Sequence, residues 1–430
     1  MQKKVLKNAG WIIGCKVVKA VLTLVVTAIT TRYLGVEKYG LLNYAAGLVA
    51  FFVPIMRLGL DAIMVHEIVQ RPEEEGKIVG TVMTLSTISA FLCVLGVSAF
   101  TMVVNAGEKD TIIVSAIYSL MLFFQALEML HYWFQAKLLA KFSAIAMLVS
   151  YIFVALFQAL LIYLNADVYL FALSFSIDYF IIAIILLIIF KKKSDQKIRF
   201  SFKLAKSMLS VSKYYIVSTL VQTVYMQTDK IMLKLMIGDA ATGIYTGAIT
   251  CASMTSFVFV AIIDSMRPEI FAGKNQSQEQ FENRVTELYS VIIYFSLIQC
   301  VVITALAPII IEIMCGAQFI ESVPVLRVAV WFTTFSYLGT IRNVWMLAEG
   351  NQRYLWIINL TGALTNVALN FVFISILGAL GAAVASVITQ VVANVIVGYI
   401  IKPIRANNRL MVRSLNPKYL KGLISSFKRG

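Results

Sequence analysis

Uninterrupted apolar runs decide what this chain can fold into: residues 181–190, for example, are apolar at every position. A transmembrane β-strand would alternate apolar and polar residues, whereas a bilayer-crossing helix needs about 20 mostly apolar residues in a row. Reading such runs between polar breaks gives twelve helices. They cover residues 8–31, 40–56, 78–104, 111–134, 143–164 and 168–190, then 212–236, 244–263, 288–314, 324–347, 354–376 and 378–401. Composition closes the soluble alternative, because 60% of the chain is hydrophobic and only 14% charged. A soluble domain has about 25% charged residues, and without them this much apolar surface must face lipid. The expected fold class is an all-α polytopic membrane protein of twelve transmembrane helices in two six-helix lobes.

The expected organisation is a first lobe over residues 1–190, a cytoplasmic amphipathic connector over 191–211, a second lobe over 212–401 and a basic cytoplasmic tail over 402–430. In the connector, Phe200, Leu204, Met208 and Val211 recur at helical spacing opposite Lys203 and Lys206, the pattern of a helix lying on an anionic leaflet. An internal duplication links the lobes. A shift of 203 places Gly35, Gly40, Ala45 and Asp61 on Gly238, Gly243, Ala248 and Asp264; a shift of 212 places Trp133, Ala136 and Lys141 on Trp345, Ala348 and Arg353. Lobes with an even number of spans share orientation, which predicts a pseudo-two-fold along the membrane normal. All Lys and Arg residues outside the spans fall on one side except Arg32, Lys38 and Lys109. The positive-inside rule therefore puts both termini in the cytoplasm.

Seven basic residues remain within or at the edges of spans: Lys16, Lys19, Lys213, Lys230, Lys234, Arg327 and Arg342. Arg57, at the inner end of the second span, joins them. A charge at the bilayer centre costs about 2.5–3.5 kcal/mol on insertion scales, so such groups face a wet cavity or a partner. Lys16 and Lys19 are three apart and Lys230 and Lys234 four apart, so each pair shares a helix face. Like charges stacked on one face are best tolerated where an anion separates them, which points to an anion-binding cavity formed by Lys16, Lys19, Arg57, Lys230 and Lys234. Lys16, Lys213 and Arg327 equally fit side chains snorkelling to headgroups. The intramembrane acids are Glu128, Asp178, Asp229 and Glu312. Of these, Asp229, Asp178 and Glu128, with His131, are candidates for a gate or for proton or ion coupling. Glu128 and His131, three apart, fit either a proton relay or a satisfied structural pair. Asn359, Asn366 and Asn370 line one stripe of the eleventh span, where interhelical hydrogen bonding is expected. His66 is expected in a cytoplasmic loop. The chain has no P-loop and no Cys-x-x-Cys spacing around its five cysteines, so neither metal nor cofactor is expected, nor a nucleic-acid partner.

The run Arg32-Tyr33-Leu34-Gly35-Val36-Glu37-Lys38-Tyr39-Gly40 and the run Leu58-Gly59-Leu60-Asp61 leading to His66-Glu67-Ile68 resemble the polysaccharide transporter, or oligosaccharide flippase, family. So do Gln227-Thr228-Asp229-Lys230-Ile231-Met232-Leu233 with Gly238 and Gly243-Ile244-Tyr245, and Ala348-Glu349-Gly350 followed by Asn366, Asn370 and Gly378-Ala379-Leu380-Gly381-Ala382-Ala383. His66 departs from the Arg that members often carry before Glu-Ile. The resemblance implies a member of the multidrug, oligosaccharidyl-lipid and polysaccharide exporter superfamily working by alternating access. It implies that an undecaprenyl-diphosphate-linked oligosaccharide moves from the inner to the outer leaflet of the bacterial cytoplasmic membrane, for O-antigen, capsule or exopolysaccharide synthesis. Partners then include membrane lipids, a glycan polymerase and a chain-length regulator. The competing readings are a multidrug cation antiporter of the same superfamily and a peptidoglycan lipid-precursor flippase. A membrane glycan polymerase would need a large outer loop that this chain lacks.

Overall fold

The computed structural model describes residues 2–194 and 196–420, without the side chains of residues 2–14, 16, 17, 214 and 218. Lys16 of the expected anion site and the end of the basic tail lie outside the described residues. The chain forms two compact units, Met1–Gln227 and Thr228–Gly430. The first holds α1 (Gln2–Arg57), α2 (Leu60–Gln70), α3 (Glu75–Val104), α4 (Lys109–Ser119), α5 (Met121–Glu128), α6 (His131–Ala136), α7 (Ala140–Tyr163) and α8 (Val168–Lys193). Helix α9 (Phe202–Met236) runs on into the second, which holds α10 (Asp239–Ser253), α11 (Ser256–Gln276), α12 (Gln278–Met314), α13 (Ser322–Ala348), α14 (Leu355–Leu377), α15 (Ala379–Val391), α16 (Val397–Ile400) and α17 (Arg405–Arg413). Among the described residues the protein is all-helical, and its helices line up as twelve rods.

The rods are fewer than the helices because several spans are bent, and one helix is two spans. Straight, the 56 residues of α1 would reach about 84 Å, nearly three times a hydrocarbon core of about 30 Å. Gly35 interrupts it with φ 73° and ψ 178°, a conformation open essentially to glycine alone. The second span continues through α2, the fourth is α4 to α6, the eighth is α10 with α11 at a 42° bend, and the twelfth is α15 with α16. Among the described residues, eight stretches are long and apolar enough to cross a membrane, or nine with the bent pair. The remaining rods are the second half of the Val18–Gln70 stretch and the more polar α9 and α13, which carry Lys213, Lys230, Lys234, Arg327 and Arg342.

The duplication is written in the backbone. Gly238, the shifted partner of Gly35, has φ 132° and ψ −173°, and likewise turns one rod into the next. Left-handed residues then recur in step: Gly107 with φ 93° and Gly316 with φ 91°, Leu138 with 56° and Gly350 with 69°, Asn165 with 53° and Gly378 with 57°. Trp133 and Trp345 are both buried in the core of their own unit. Under the same 212 shift Lys137 falls on Glu349, and each closes an ion pair of opposite sense, Lys137 with Glu75 at 2.5 Å and Glu349 with Lys274 at 2.7 Å.

The connector differs from the expected helix over 191–211. Residues 191–193 finish α8, and residues 196–201 lie outside any helix and are pinned to the start of α3. The N–H of Arg199 donates to the Gly76 carbonyl at 3.1 Å, that of Ser201 to Thr81 Oγ1 at 3.0 Å, and the Gly76 N–H to Gln196 Oε1 at 3.0 Å. A Cβ on Gly80 would lie 2.4 Å from the Arg199 carbonyl oxygen, so the approach needs glycine. Leu204 and Met208 then pack in the first unit's core with Leu60, Met64 and Ile78, while Phe200 and Val211 stay exposed. Half of the apolar stripe is thus buried in protein rather than laid on a leaflet. His66 also differs from expectation: it sits exposed on α2, not in a loop. Between α7 and α8, Asp167 caps α8 by accepting the Val168 N–H at 2.7 Å and pairs with Lys38 at 2.8 Å. The Lys38 hydrogen bond, with the cap, holds the Asp167 carboxyl below the usual range.

Candidate functional site

In the first unit, α1 brings Lys19 beside the break of the fourth span. Lys19 Nζ lies 5.2 Å from the centre of the Tyr151 ring, a cation–π arrangement, and its side chain lines a cavity of ≈ 350 Å³ with His131 and Gln135 of α6 and Met147 of α7. Arg57, at the end of α1, donates from Nη1 to Tyr132 Oη at 3.3 Å. Glu128 closes α5 and is 6% exposed; Arg57, Lys19 and Asp178 all act on it electrostatically. Asp178 accepts the Ser150 hydroxyl at 2.6 Å. Lys19, Arg57, Glu128 and Asp178 thus share one polar interior, and none of them closes an ion pair within 4 Å among the described residues. Charges held near each other yet unpaired keep their hydrogen-bonding capacity for a ligand.

Glu128 and His131 do not share a straight helix face. Met129 and Leu130 separate α5 from α6 with ψ of −21° and −22°, close to 3₁₀ geometry, which changes the angular step between the two side chains. His131 turns to the Lys19 cavity, while Glu128 belongs with Arg57.

In the second unit, Asp229 is a node of four neutral donors. Asn366 and Asn370 of α14 donate to Oδ1 at 2.9 and 2.5 Å, Ser386 of α15 donates to Oδ2 at 2.7 Å, and the Tyr245 hydroxyl of α10 also donates to Oδ2. The carboxylate therefore ties α9 to three other helices, which satisfies a buried charge without a counter-cation. Two of the three asparagines of the expected stripe, Asn366 and Asn370, supply half of this node, and Asn359 is not part of it. Lys230, the next residue, feels Asp229 electrostatically but makes no hydrogen bond or ion pair to a described residue. Lys234 is taken: its ammonium is 2.6 Å from Asp239, in the first turn of α10 beyond the Gly238 break, and its side chain is 5% exposed. The expected phosphate contact at Lys234 is thus occupied by a structural pair. Removing one partner of a buried pair costs about 3–5 kcal/mol, so Lys234→Ala should lower the melting temperature of the purified protein. The exchange Lys234→Asp with Asp239→Lys should restore it, and a transport defect that persists in the exchanged protein at wild-type stability would return Lys234 to the site.

The other spanning cations also have places. Arg327 is exposed at the start of α13, as a snorkelling side chain would be. Arg342 is 3% exposed and donates to the Ala393 carbonyl at 2.8 Å, a group offered by the π-helical turn Val392–Ile396, since π geometry disturbs the regular i to i−4 ladder. Cys251 and Cys315 are buried, with sulfurs 3.9 Å apart. No group of metal-ligating residues occurs among the described residues. Ser386 and Asp239 carry no spacing signal, and sequence reasoning missed them; Tyr245 stood in the family-like run Gly243-Ile244-Tyr245 but was given no role.

Residues 5–274, more than half of the chain, match the family model described as polysaccharide biosynthesis protein. No curated protein matches the chain in sequence. Among solved structures, an inward-facing multidrug resistance MATE family transporter of the MOP superfamily is similar at 16% identity and a TM-score of 0.74, over 90% of this chain and 94% of that one. The lipid II flippase MurJ in an inward closed conformation is similar at 16% identity and a TM-score of 0.73, over 93% of this chain and 90% of that one. A MOP superfamily transporter from Pyrococcus furiosus, described by a reversed polarity of its binding pocket, is similar at 14% identity and a TM-score of 0.55, over 94% and 95%. At these identities the likeness is one of fold, the twelve-helix, two-lobe fold of membrane transporters.

Proposed function

The chain belongs to the polysaccharide biosynthesis protein family, and on that premise we propose that it flips an undecaprenyl-diphosphate-linked oligosaccharide from the inner to the outer leaflet of a bacterial cytoplasmic membrane, with both termini in the cytoplasm. The observation that carries this reading is the set of intramembrane cations that close no ion pair with a described residue: Lys19 and Arg57 in one unit and Lys230 in the other. A diphosphate carries about two negative charges, and fixed cations offset the cost of removing them from water. With the cell interior negative, moving two charges outward across about 100 mV gains roughly 4–5 kcal/mol. Surface polysaccharide synthesis, with its polymerase and chain-length regulator, is the pathway class that consumes such a product. A deletion strain should accumulate lipid-linked glycan on the cytoplasmic face and lose surface glycan.

A second reading, a multidrug cation antiporter, is favoured by Glu128 and Asp178 in the same interior as Lys19. It predicts that the deletion strain becomes drug-sensitive with its surface glycan intact, the opposite pattern.

A further inference from the structure

We propose that the cavity at the break between α1 and α2 is the subsite for the first sugar ring of the glycan, the one attached to the diphosphate; this rests on the flippase reading above. The cavity lies within the first unit, measures ≈ 220 Å³, and is lined by Arg57 and Asp61 from the break and by Thr219, Thr223 and Gln227 from α9. Drug-sized sites run from about 300 to 1,000 Å³, so this one fits a single ring rather than an oligosaccharide.

Its shape comes from the break. Arg57 and Asp61 are four apart and on an unbroken helix would pair. Leu58 and Gly59 instead take φ of 53° and 61°, and α9 crosses so closely that a Cβ on Gly59 would sit 2.8 Å from Tyr215 Cβ. The two charges therefore line the cavity unpaired. Asp264, which the duplication sets on Asp61, is by contrast closed by Arg267 at 3.2 Å.

The lining selects the ligand by its hydrogen-bonding sense. Thr219 and Thr223 spend their hydroxyl protons on the carbonyls of Tyr215 and Thr219 at 2.8 and 2.9 Å, so each offers lone pairs only. Gln227 Oε1 is buried without a partner, and Asp61 accepts the Ala62 N–H at 2.9 Å through Oδ1, which leaves Oδ2. These oxygens are acceptors; Arg57 Nε is the one buried donor without a partner there, and the Gln227 amide nitrogen is a second donor beside its oxygen. A diphosphate offers acceptors only, which Arg57 meets at one edge of the cavity but the oxygens of Asp61, Thr219 and Thr223 do not. A cation would face Arg57. A pyranose, whose hydroxyls donate to several acceptors and accept from one guanidinium, satisfies the set, and Pro54 and Val53 give its C–H face an apolar wall.

The test measures binding of bare undecaprenyl diphosphate to the full chain in nanodiscs, beside the same lipid carrying one glucose, galactose or N-acetylglucosamine. At least one sugar-bearing lipid should bind about tenfold tighter than the bare lipid, the increment expected of one or two hydrogen bonds to charged groups. Asp61→Asn and Thr223→Val should each erase that increment and leave bare-lipid affinity and melting temperature unchanged. Equal weakening of bare and sugar-bearing lipids, or no increment with any sugar in the wild type, overturns the subsite and leaves the flippase reading standing. If none of the four lipids binds the folded wild type, both fall.

Discussion

Lys19→Ala should cut glycan export to about a tenth of the wild-type rate or less while the protein stays at its normal level in the membrane. A hydrogen bond to a charged group is worth about 1.5–3 kcal/mol, so loss of this one cation slows export by roughly ten- to a hundredfold. Lys230→Ala should do the same from the second unit, where no described residue shares its ammonium. The competing explanation for Lys19 is structural, because its ammonium rests on Tyr151. Tyr151→Leu separates the two: it removes the ring face but keeps apolar bulk, so export should survive if the ammonium is needed by substrate and fail if it is needed by the ring. Lys19→Arg, which keeps the charge, should retain export. Wild-type export by both alanine variants would sink the assignment of these lysines to the diphosphate.

How legible such a site is from sequence depends on whether its residues are read along one helix or across several. The lobe pattern was legible because the turns that make it are local: Gly35 and Gly238 are visible as repeats and take matching backbone conformations for the same steric reason. Apolar periodicity also found α9, yet it placed the span's start at Ser212, because nothing in the pattern tells a helix docked on protein from one lying on lipid. Leu204 and Met208 are buried by α2 and α3, long-range neighbours that no spacing rule names. The same limit applied to the charges. Lys230 and Lys234 share a helix face, but Lys234 meets Asp239 only because Gly238 folds the chain back, so a span-by-span reading left it free. Glu128 and His131 were paired by assuming a continuous helix through Met129 and Leu130. Asp61 stood out only as a marker of the duplication and in the family-like run Leu58-Gly59-Leu60-Asp61, without a role, since its exposure to a cavity follows from two left-handed residues whose conformation the sequence does not announce.

Asp229→Ala should destabilise the second unit more than any other single change considered, because it removes the acceptor for Asn366, Asn370, Tyr245 and Ser386 at once. Each buried donor left without a partner costs about 1–3 kcal/mol; Tyr245 can turn to Ser386 at 3.1 Å, and the remaining three together still rival the whole stability of a typical domain at its lower end, about 5–15 kcal/mol. The variant should be depleted from the membrane or melt well below the wild type. Asp229→Asn keeps one acceptor oxygen and brings a donor against the others, so it should fall between. If Asp229 instead served as a gate or coupling group, Asp229→Asn would melt like the wild type and fail only in transport. A double substitution decides between the two roles on energetic grounds alone. Removing a donor together with its acceptor is far cheaper than removing the acceptor by itself, so Asp229→Ala with Asn370→Ala should cost less than the sum of the single changes. A coupling group that holds no structure would show no such recovery, since its partners' hydrogen bonds would not be what the substitution breaks.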